Sequence, residues 1–253
     1  MWIPEFAYKL YERNLLGQID DAQLPKHVGI ILDGNRRWAK AIGTSTPHGH
    51  RKGADHISEV LGWCEEAGIE IVTLWMLSTD NLSRAKDELH ELIEIIVVAV
   101  ERLAAARRWK IRLLGDVSLL PEVSAGRLNL AVESTASVAG MTVNVAIGYG
   151  GRQEITQAVR DYLQEKAWSG ASLSEVAGSV SMEDITQHMY TAGQPDPDLI
   201  IRTSGEQRMS GFLLWQTVHT EFYFCETYWP DFRRTDFLRA LRDFSQRDRR
   251  RGK

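Results

Sequence analysis

The chain has 253 residues, 43% hydrophobic and 25% charged, with a formal net charge of −4 and a pI near 6.0. This suits one large α/β domain, since no Pro/Gly/Ser-rich linker, internal repeat or low-complexity run divides it, and the charge argues against nucleic acid as a main partner. Cys64 and Cys225 show neither metal-ligand nor disulfide spacing, the pattern of reduced core thiols in a cytoplasmic protein, and no signal peptide opens the chain.

Residues 2–16 place Ile3, Phe6 and Leu10 at helical spacing, with Tyr11 and Leu15 beside them. They predict an amphipathic helix within an N-terminal extension (1–26), which either covers the core or makes a peripheral membrane contact. Residues 28–32 are a buried-strand pattern that stops at Asp33-Gly34-Asn35, and Arg36-Arg37-Trp38-Ala39-Lys40 reads as a first helical turn. A strand–turn–helix aims backbone N–H groups and the positive helix end at one point. Arg36 and Arg37 suit a phosphate there. Asp33 is out of place in such an anion site unless it binds a metal or handles a proton; the blander reading is a capped turn with solvated arginines.

A loop is expected over 41–47, then His48-Gly49-His50-Arg51-Lys52-Gly53 and a helix over 54–67. His48 and His50 make no convincing metal pair without a third ligand, and phosphate contact or plain surface exposure fits His50 better. A strand over 69–77 runs into Ser78-Thr79-Asp80-Asn81-Leu82-Ser83-Arg84, followed by a helix over 87–103 that becomes almost wholly apolar. The most apolar run, 92–100, holds Glu94 and falls short of the ~20 residues that span a bilayer. Further strands are expected over 111–115 and 142–147, then a glycine-rich turn and a helix over 153–166. A strand ends at Arg202, a loop carries Arg208, Met209 and Ser210, another apolar strand is expected from Phe212, and Glu221 follows. A helix over 237–244 and a basic tail over 247–253 close the chain.

The order strand, loop, helix predicts a single-domain α/β fold with a mostly parallel sheet flanked by helices. The loops 33–38, 78–84 and 202–210 then share the edge of the sheet where α/β proteins bind ligands. Their five arginines (36, 37, 84, 202, 208) are too many for one phosphate and suit two diphosphates side by side. No Walker pattern and no G-x-G-x-x-G after a strand is present, which argues against nucleotides. Asp33 with a second acid could hold Mg²⁺ between diphosphate oxygens. Apolar surface from 74–77 and 92–103 could line a tunnel for greasy tails.

These stretches resemble the cis-prenyltransferases of the undecaprenyl diphosphate synthase type. The likeness runs from about His27 to Gly252 and is carried by HVGIILDGNRRWAK, GHRKGA, LSTDNLSR, NVAIGYGGR, DLIIRTSGEQRMSGFLLWQ and TEFYF. It implies a homodimeric, Mg²⁺-dependent enzyme whose catalytic domain (27–253) joins isopentenyl diphosphate to an allylic diphosphate at the mouth of an apolar tunnel. By position, Asp33 would be the essential acid, and Asn81 would take part in proton removal. Gly34, Asn35, Arg36, Arg37, Trp38, His50, Ser78, Thr79, Asp80, Leu82 and Arg84 would form the allylic site. Arg202, Arg208, Met209 and Ser210 would bind isopentenyl diphosphate, and Glu221 would be a second metal-linked acid near the subunit interface. The aspartate-rich motifs of the trans-type synthases are absent.

The chain departs from the family pattern at Thr46, where an arginine is usual, at Leu82, where tryptophan is usual, and at Gln207, a common histidine. Met76 stands where long-chain members have a small residue and would end the tunnel. With the helical extension, it makes the chain similar to the actinobacterial short-chain enzymes that produce (2Z,6E)-farnesyl diphosphate, with geranyl diphosphate as the expected primer. The alternatives are a medium- or long-chain synthase for lipid carriers and a non-catalytic partner subunit of the same fold.

Overall fold

The computed structural model describes residues 5–247, without the side chains of residues 5–7 and 21. Six strands form one sheet: β1 (His27–Ile31), β2 (Ile71–Ser78), β3 (Lys110–Leu114), β4 (Thr142–Tyr149), β5 (Leu199–Arg202) and β6 (Glu221–Phe224). Their order is β3-β4-β2-β1-β5-β6, and every pairing is parallel. β1 is buried at all five positions, as the apolar run after His27 requires of a strand covered on both faces. Adjacent β2, β1 and β5 therefore deliver the segments after Ser78, Ile31 and Arg202 to one edge. The three polar loops come from there, as expected.

Helices α3 (Thr46–Glu66), α4 (Lys86–Ala105) and α9 (Arg234–Ser245) cover one face, where Ile57, Leu61, Ile93, Val97, Val100, Phe237 and Leu241 pack on Val28, Ile30, Val72 and Leu74. On the other face Ile31, Ala146, Tyr149, Ile200, Phe212 and Leu213 form a smaller cluster. α2 (Asn35–Ala41), α5 (Glu122–Ser134), α6 (Gly151–Trp168), α7 (Leu173–Ser179) and α8 (Met182–Thr186) complete the flanks. α1 (Glu5–Leu16) lies against α9: Leu15 is buried, and the Tyr11 hydroxyl accepts a 3.1 Å hydrogen bond from Arg239. Leu10 is 58% exposed. The expectation for Ile3 and Phe6 lies outside the described side chains, as does most of the basic tail. Among the described residues no helix is long and apolar enough to cross a membrane.

Two expectations are corrected. Residues 46–53 are helical, because the Ser45 hydroxyl caps the His48 N–H and Pro47 occupies the first turn. Gly53 obscures that helix in the sequence but is needed there: a Cβ would stand 2.1 Å from Asn35 Oδ1 in α2. The apolar run from Phe212 is a series of turns, not a strand. Ser210, Gly211 and Leu213 all have positive φ (51°, 90° and 47°), which breaks extended pairing, while Phe212 and Leu213 are buried.

β2 carries an irregularity that matters for the site. Trp75 pairs with Ala146 and Leu77 with Ile147, so Met76 is an extra residue in the ladder. Met76 and Leu77 consequently pack toward the same core, where a regular pleat would send them to opposite faces.

A buried polar chain crosses β1, β2 and β4. His27 Nδ1 lies 2.8 Å from the Pro195 carbonyl and Nε2 lies 2.8 Å from Thr73 Oγ1, which also accepts from Asn144 Nδ2 at 3.0 Å. A carbonyl only accepts, so Nδ1 carries the proton and Thr73 donates to Nε2. Burial lowers the His27 pKa, against smaller upward pulls from the Pro195 carbonyl and Asp198. The unfolded chain therefore takes up this proton first as pH falls through about 6.5, and stability drops. Urea unfolding should show a lower midpoint at pH 5.5 than at 7.5, and His27→Gln should reduce that pH dependence; an unchanged dependence would contradict the assignment.

Candidate active site

The site is built around Asp33, two residues past the end of β1. Its backbone N–H donates to Thr203 Oγ1 at 3.0 Å, and that hydroxyl donates to the Asp33 carbonyl at 2.7 Å. The Trp229 N–H donates to the same carbonyl at 3.0 Å. Gly34 follows with φ 107°, and a side chain there would press on the Tyr228 ring, 2.7 Å from a Cβ. Only glycine fits this turn, which lets α2 start at Asn35 and brings Arg37 back over Asp33.

Arg202 ends β5 with its side chain 5% exposed. It donates from Nη2 to Asp33 Oδ2 at 2.8 Å and from Nη1 to Ser210 Oγ at 2.9 Å, and also to the Arg208 carbonyl. Arg37 donates to Asp33 Oδ1 at 3.3 Å, to Ser204 Oγ at 2.6 Å and to Glu206 Oε1 at 3.1 Å. Glu206 Oε2 accepts from Arg208. The arrangement is a closed ring, Arg202–Asp33–Arg37–Glu206–Arg208 and back to Arg202. Burial works to raise the Asp33 pKa, but the hydrogen bond and charge of Arg202, with Arg37 and Ser204, override it and hold the carboxyl below its usual range.

A cleft of about 600 Å³ opens here. Its rim holds all five anticipated arginines against the carboxylates of Asp33, Asp80 and Glu206, a surplus that favours anions. Gly34, Asn35, His50, Ser78, Asn81 and Ser210 also line it, and Ile31, Leu32, Trp75, Met76 and Leu92 form its apolar part. Asn81 Oδ1 accepts from Arg84 at 3.0 Å, and Glu88 accepts from both Arg84 (3.1 Å) and Arg36 (3.4 Å). Of the lining residues, Asn35, His50, Trp75 and Arg202 each keep one buried polar atom without a protein partner (Oδ1, Nε2, Nε1 and Nε). A polar rim with surplus positive charge above an apolar floor is the shape of a receptor for amphiphilic phosphates.

The comparisons with known proteins decide the family. The family model described as "Putative undecaprenyl diphosphate synthase" matches residues 31–252. The chain belongs to the cis-prenyltransferase family. It is 55% identical over 246 residues to a (2Z,6E)-farnesyl diphosphate synthase of Thermobifida fusca, covering 97% of this chain and 96% of that one. It is 53% identical over 255 residues to a short-chain Z-isoprenyl diphosphate synthase of Mycobacterium leprae, covering 99% and 97%. Its structure resembles that of lavandulyl diphosphate synthase from Lavandula x intermedia in complex with dimethylallyl diphosphate, with a TM-score of 0.84 and 33% identity over 92% of this chain and 100% of that one.

Several residues of this cis-prenyltransferase lie elsewhere than its sequence suggests. Trp38 is buried and stacks on His48, 6.0 Å between ring centroids, and does not line the cleft. Thr79 and Leu82 lie behind the lining, Leu82 against the main core, and Met209 Sδ accepts from Thr217 at 3.9 Å. Glu221 stands at the N-terminal end of β6, pairs in register with Leu199 and meets Arg247, whereas Asp33 follows the C-terminal end of β1. One chain therefore does not bring Glu221 to Asp33. Among the described residues no three His, Cys, Asp or Glu side chains converge as a metal cage. The donor set of the cleft, one or two carboxylates beside five arginines that suit phosphate oxygens, still fits Mg²⁺, which favours few carboxylates plus phosphate oxygens.

Glu206, Ser204 and Thr203 are the residues that sequence reading passed over. Glu206 had a signal, as an acid two residues before Arg208 in an arginine-rich loop. Ser204 had none, since its φ of 82° is invisible in the sequence.

Burial, then the neighbouring Arg84 and Arg36, lower the His50 pKa to about 4, against an upward pull from Glu88. The imidazole is neutral at physiological pH. A diphosphate placed in the cleft would reverse the local field and raise that pKa. An NMR titration should find His50 half-protonated near pH 4 in the free protein and at higher pH with inorganic diphosphate; no shift on binding would place the anion elsewhere.

Proposed function

We propose that this cis-prenyltransferase condenses isopentenyl diphosphate with geranyl diphosphate in Z geometry and releases mainly (2Z,6E)-farnesyl diphosphate. The carrying observation is the cleft, in which five arginines surround the Asp33 carboxylate over an apolar floor that contains Met76. In the reaction the allylic C–O bond breaks, the new C–C bond forms at C4 of isopentenyl diphosphate, and a proton leaves C2. Arg36, Arg37, Asn35, His50 and Arg84 hold the allylic diphosphate, and Arg202, Arg208 and Ser210 the other. Asp33 orients the departing diphosphate with Mg²⁺, which when bound neutralises its growing charge. An amide is no base, so Asn81 orients the proton, and a diphosphate oxygen accepts it.

Chain length follows from magnitudes. Each unit adds five carbons, and a buried CH₂ contributes ~0.8 kcal/mol, so extension gains roughly 4 kcal/mol while space lasts. Growth stops only at a wall. Met76, among the apolar residues that line the cleft, supplies one in this reading.

The homodimer is part of this reading. β6 is the open edge of the sheet, with Phe222 stacked on Phe224 (6.1 Å) and Phe224 and Val218 exposed, a surface that suits a second copy. Glu221 lies on that strand, so its link to a metal would run across the interface. Cytoplasmic location and a peripheral membrane contact through α1 belong to the same reading.

The purified chain with Mg²⁺, isopentenyl diphosphate and geranyl diphosphate should give a fifteen-carbon Z product, and EDTA should abolish turnover. Met76→Ala should lengthen the products without stopping turnover. No turnover by the chain alone would favour a non-catalytic subunit, and a wild-type ladder of long polyprenyl diphosphates would overturn the short-chain assignment.

A further inference from the structure

One carboxylate links arginines assigned to different substrates. Glu206 Oε1 takes Arg37, on the allylic side, at 3.1 Å, and Oε2 takes Arg208, on the isopentenyl side. The two arginines come from α2 and the loop after β5; Arg37 also reaches that loop at Ser204 Oγ (2.6 Å), but Glu206 is the group that touches both guanidiniums. Glu206 is itself 27% exposed at its side chain and lines the cleft, so it stands where phosphate oxygens of either ligand would come to lie. Asp33 cannot replace it, being taken up by Arg202 and Arg37.

Resting on the prenyltransferase reading, the geometry points to Glu206 as a positioning residue that couples the two diphosphate sites: it acts as an internal anion, which the first diphosphate displaces for the benefit of the second. The oxygens that hold Arg37 and Arg208 belong to one carboxyl group. A phosphate that takes the place of Oε1 on Arg37 therefore brings several negative charges against Oε2. Like charges in a partly desolvated cleft repel strongly, and the carboxylate leaves both arginines together. Arg208 is then open, and the second ligand no longer has to evict Glu206. By linkage the effect is the same whichever ligand arrives first. In the empty cleft the same carboxylate keeps Arg37 and Arg208 from repelling each other and holds the 203–210 loop beside Asp33.

Its size follows from the contacts. Two partly exposed ion pairs contribute up to about 1 kcal/mol each, so the first ligand should tighten the second by roughly three- to thirtyfold. A group that only ordered the loop would behave differently. Its loss would weaken both ligands and leave their mutual effect intact.

Isothermal titration with isopentenyl diphosphate and geranyl thiolodiphosphate, an allylic analogue that does not ionise, tests this in the full chain with Mg²⁺. In wild type each ligand should lower the Kd of the other by about three- to thirtyfold. In Glu206→Gln each ligand alone should bind at least as tightly as to wild type, and the mutual effect should fall to within about twofold of none. Glu206→Ala, with folding checked by circular dichroism, should do the same. Weaker binding of either ligand alone, or coupling that survives in both variants, would overturn the proposal. A wild-type protein that bound neither ligand would refute the prenyltransferase reading itself and the proposal with it, a result distinct from any effect of the substitutions.

Discussion

The contact on which the site depends is the pair between Arg202 and Asp33. Arg202 is almost wholly buried, and a buried guanidinium without an anion would be costly; Asp33 at 2.8 Å removes that cost and is itself held ionised by the contact. Because Arg202 ends β5 and Asp33 follows β1, the pair also locks two adjacent strands in register at the reactive edge. Everything else at the rim is arranged around it. Thr203 fixes the backbone of Asp33, Ser204 and Glu206 aim Arg37, and Ser210 receives the other arm of Arg202. The parallel sheet supplies the positions, and the charges supply the order within them.

Much of this was legible in the sequence, because parallel strands buried on both faces leave plain apolar runs and their C-terminal loops carry the polar residues. Asp33-Gly34-Asn35 after 28–32, the polar stretch from Ser78 and the arginines of 202–210 could be placed at one edge before any coordinate was known. Glycines and backbone signs hid the rest. Gly49 and Gly53 look like loop residues but sit inside a helix, where Asn35 packs too closely for any side chain. Phe212 looks like strand, yet three positive φ angles between 210 and 213 fold its segment into turns that stack it on Trp75, 5.1 Å between centroids. Glu206 stands two residues before Arg208 in the sequence, and only the return of Arg37 from a distant part of the chain shows its second partner.

Met76 illustrates how pattern and geometry divide the work. Periodicity places it beside Trp75, one step from the polar loop, and a regular strand would send these neighbours to opposite faces. Trp75 and Met76 keep that alternation, packing against clusters on opposite faces, yet both line the cleft; it is Leu77 that the bulge brings to the side of Met76. The apolar floor thus holds two large side chains close to the arginine-rich rim. Such a floor suits a short product better than a long one.

The central claim is that Asp33 works on the departing diphosphate, rather than serving only to neutralise Arg202. The direct measurement is single-turnover condensation of geranyl diphosphate with isopentenyl diphosphate by Asp33→Asn, which keeps the shape and removes the charge. Loss of a group that acts on transition-state charge costs at least ~10²-fold. The account predicts a rate lowered by that much or more in a protein that remains folded and still binds isopentenyl diphosphate; a rate within tenfold of wild type would contradict it.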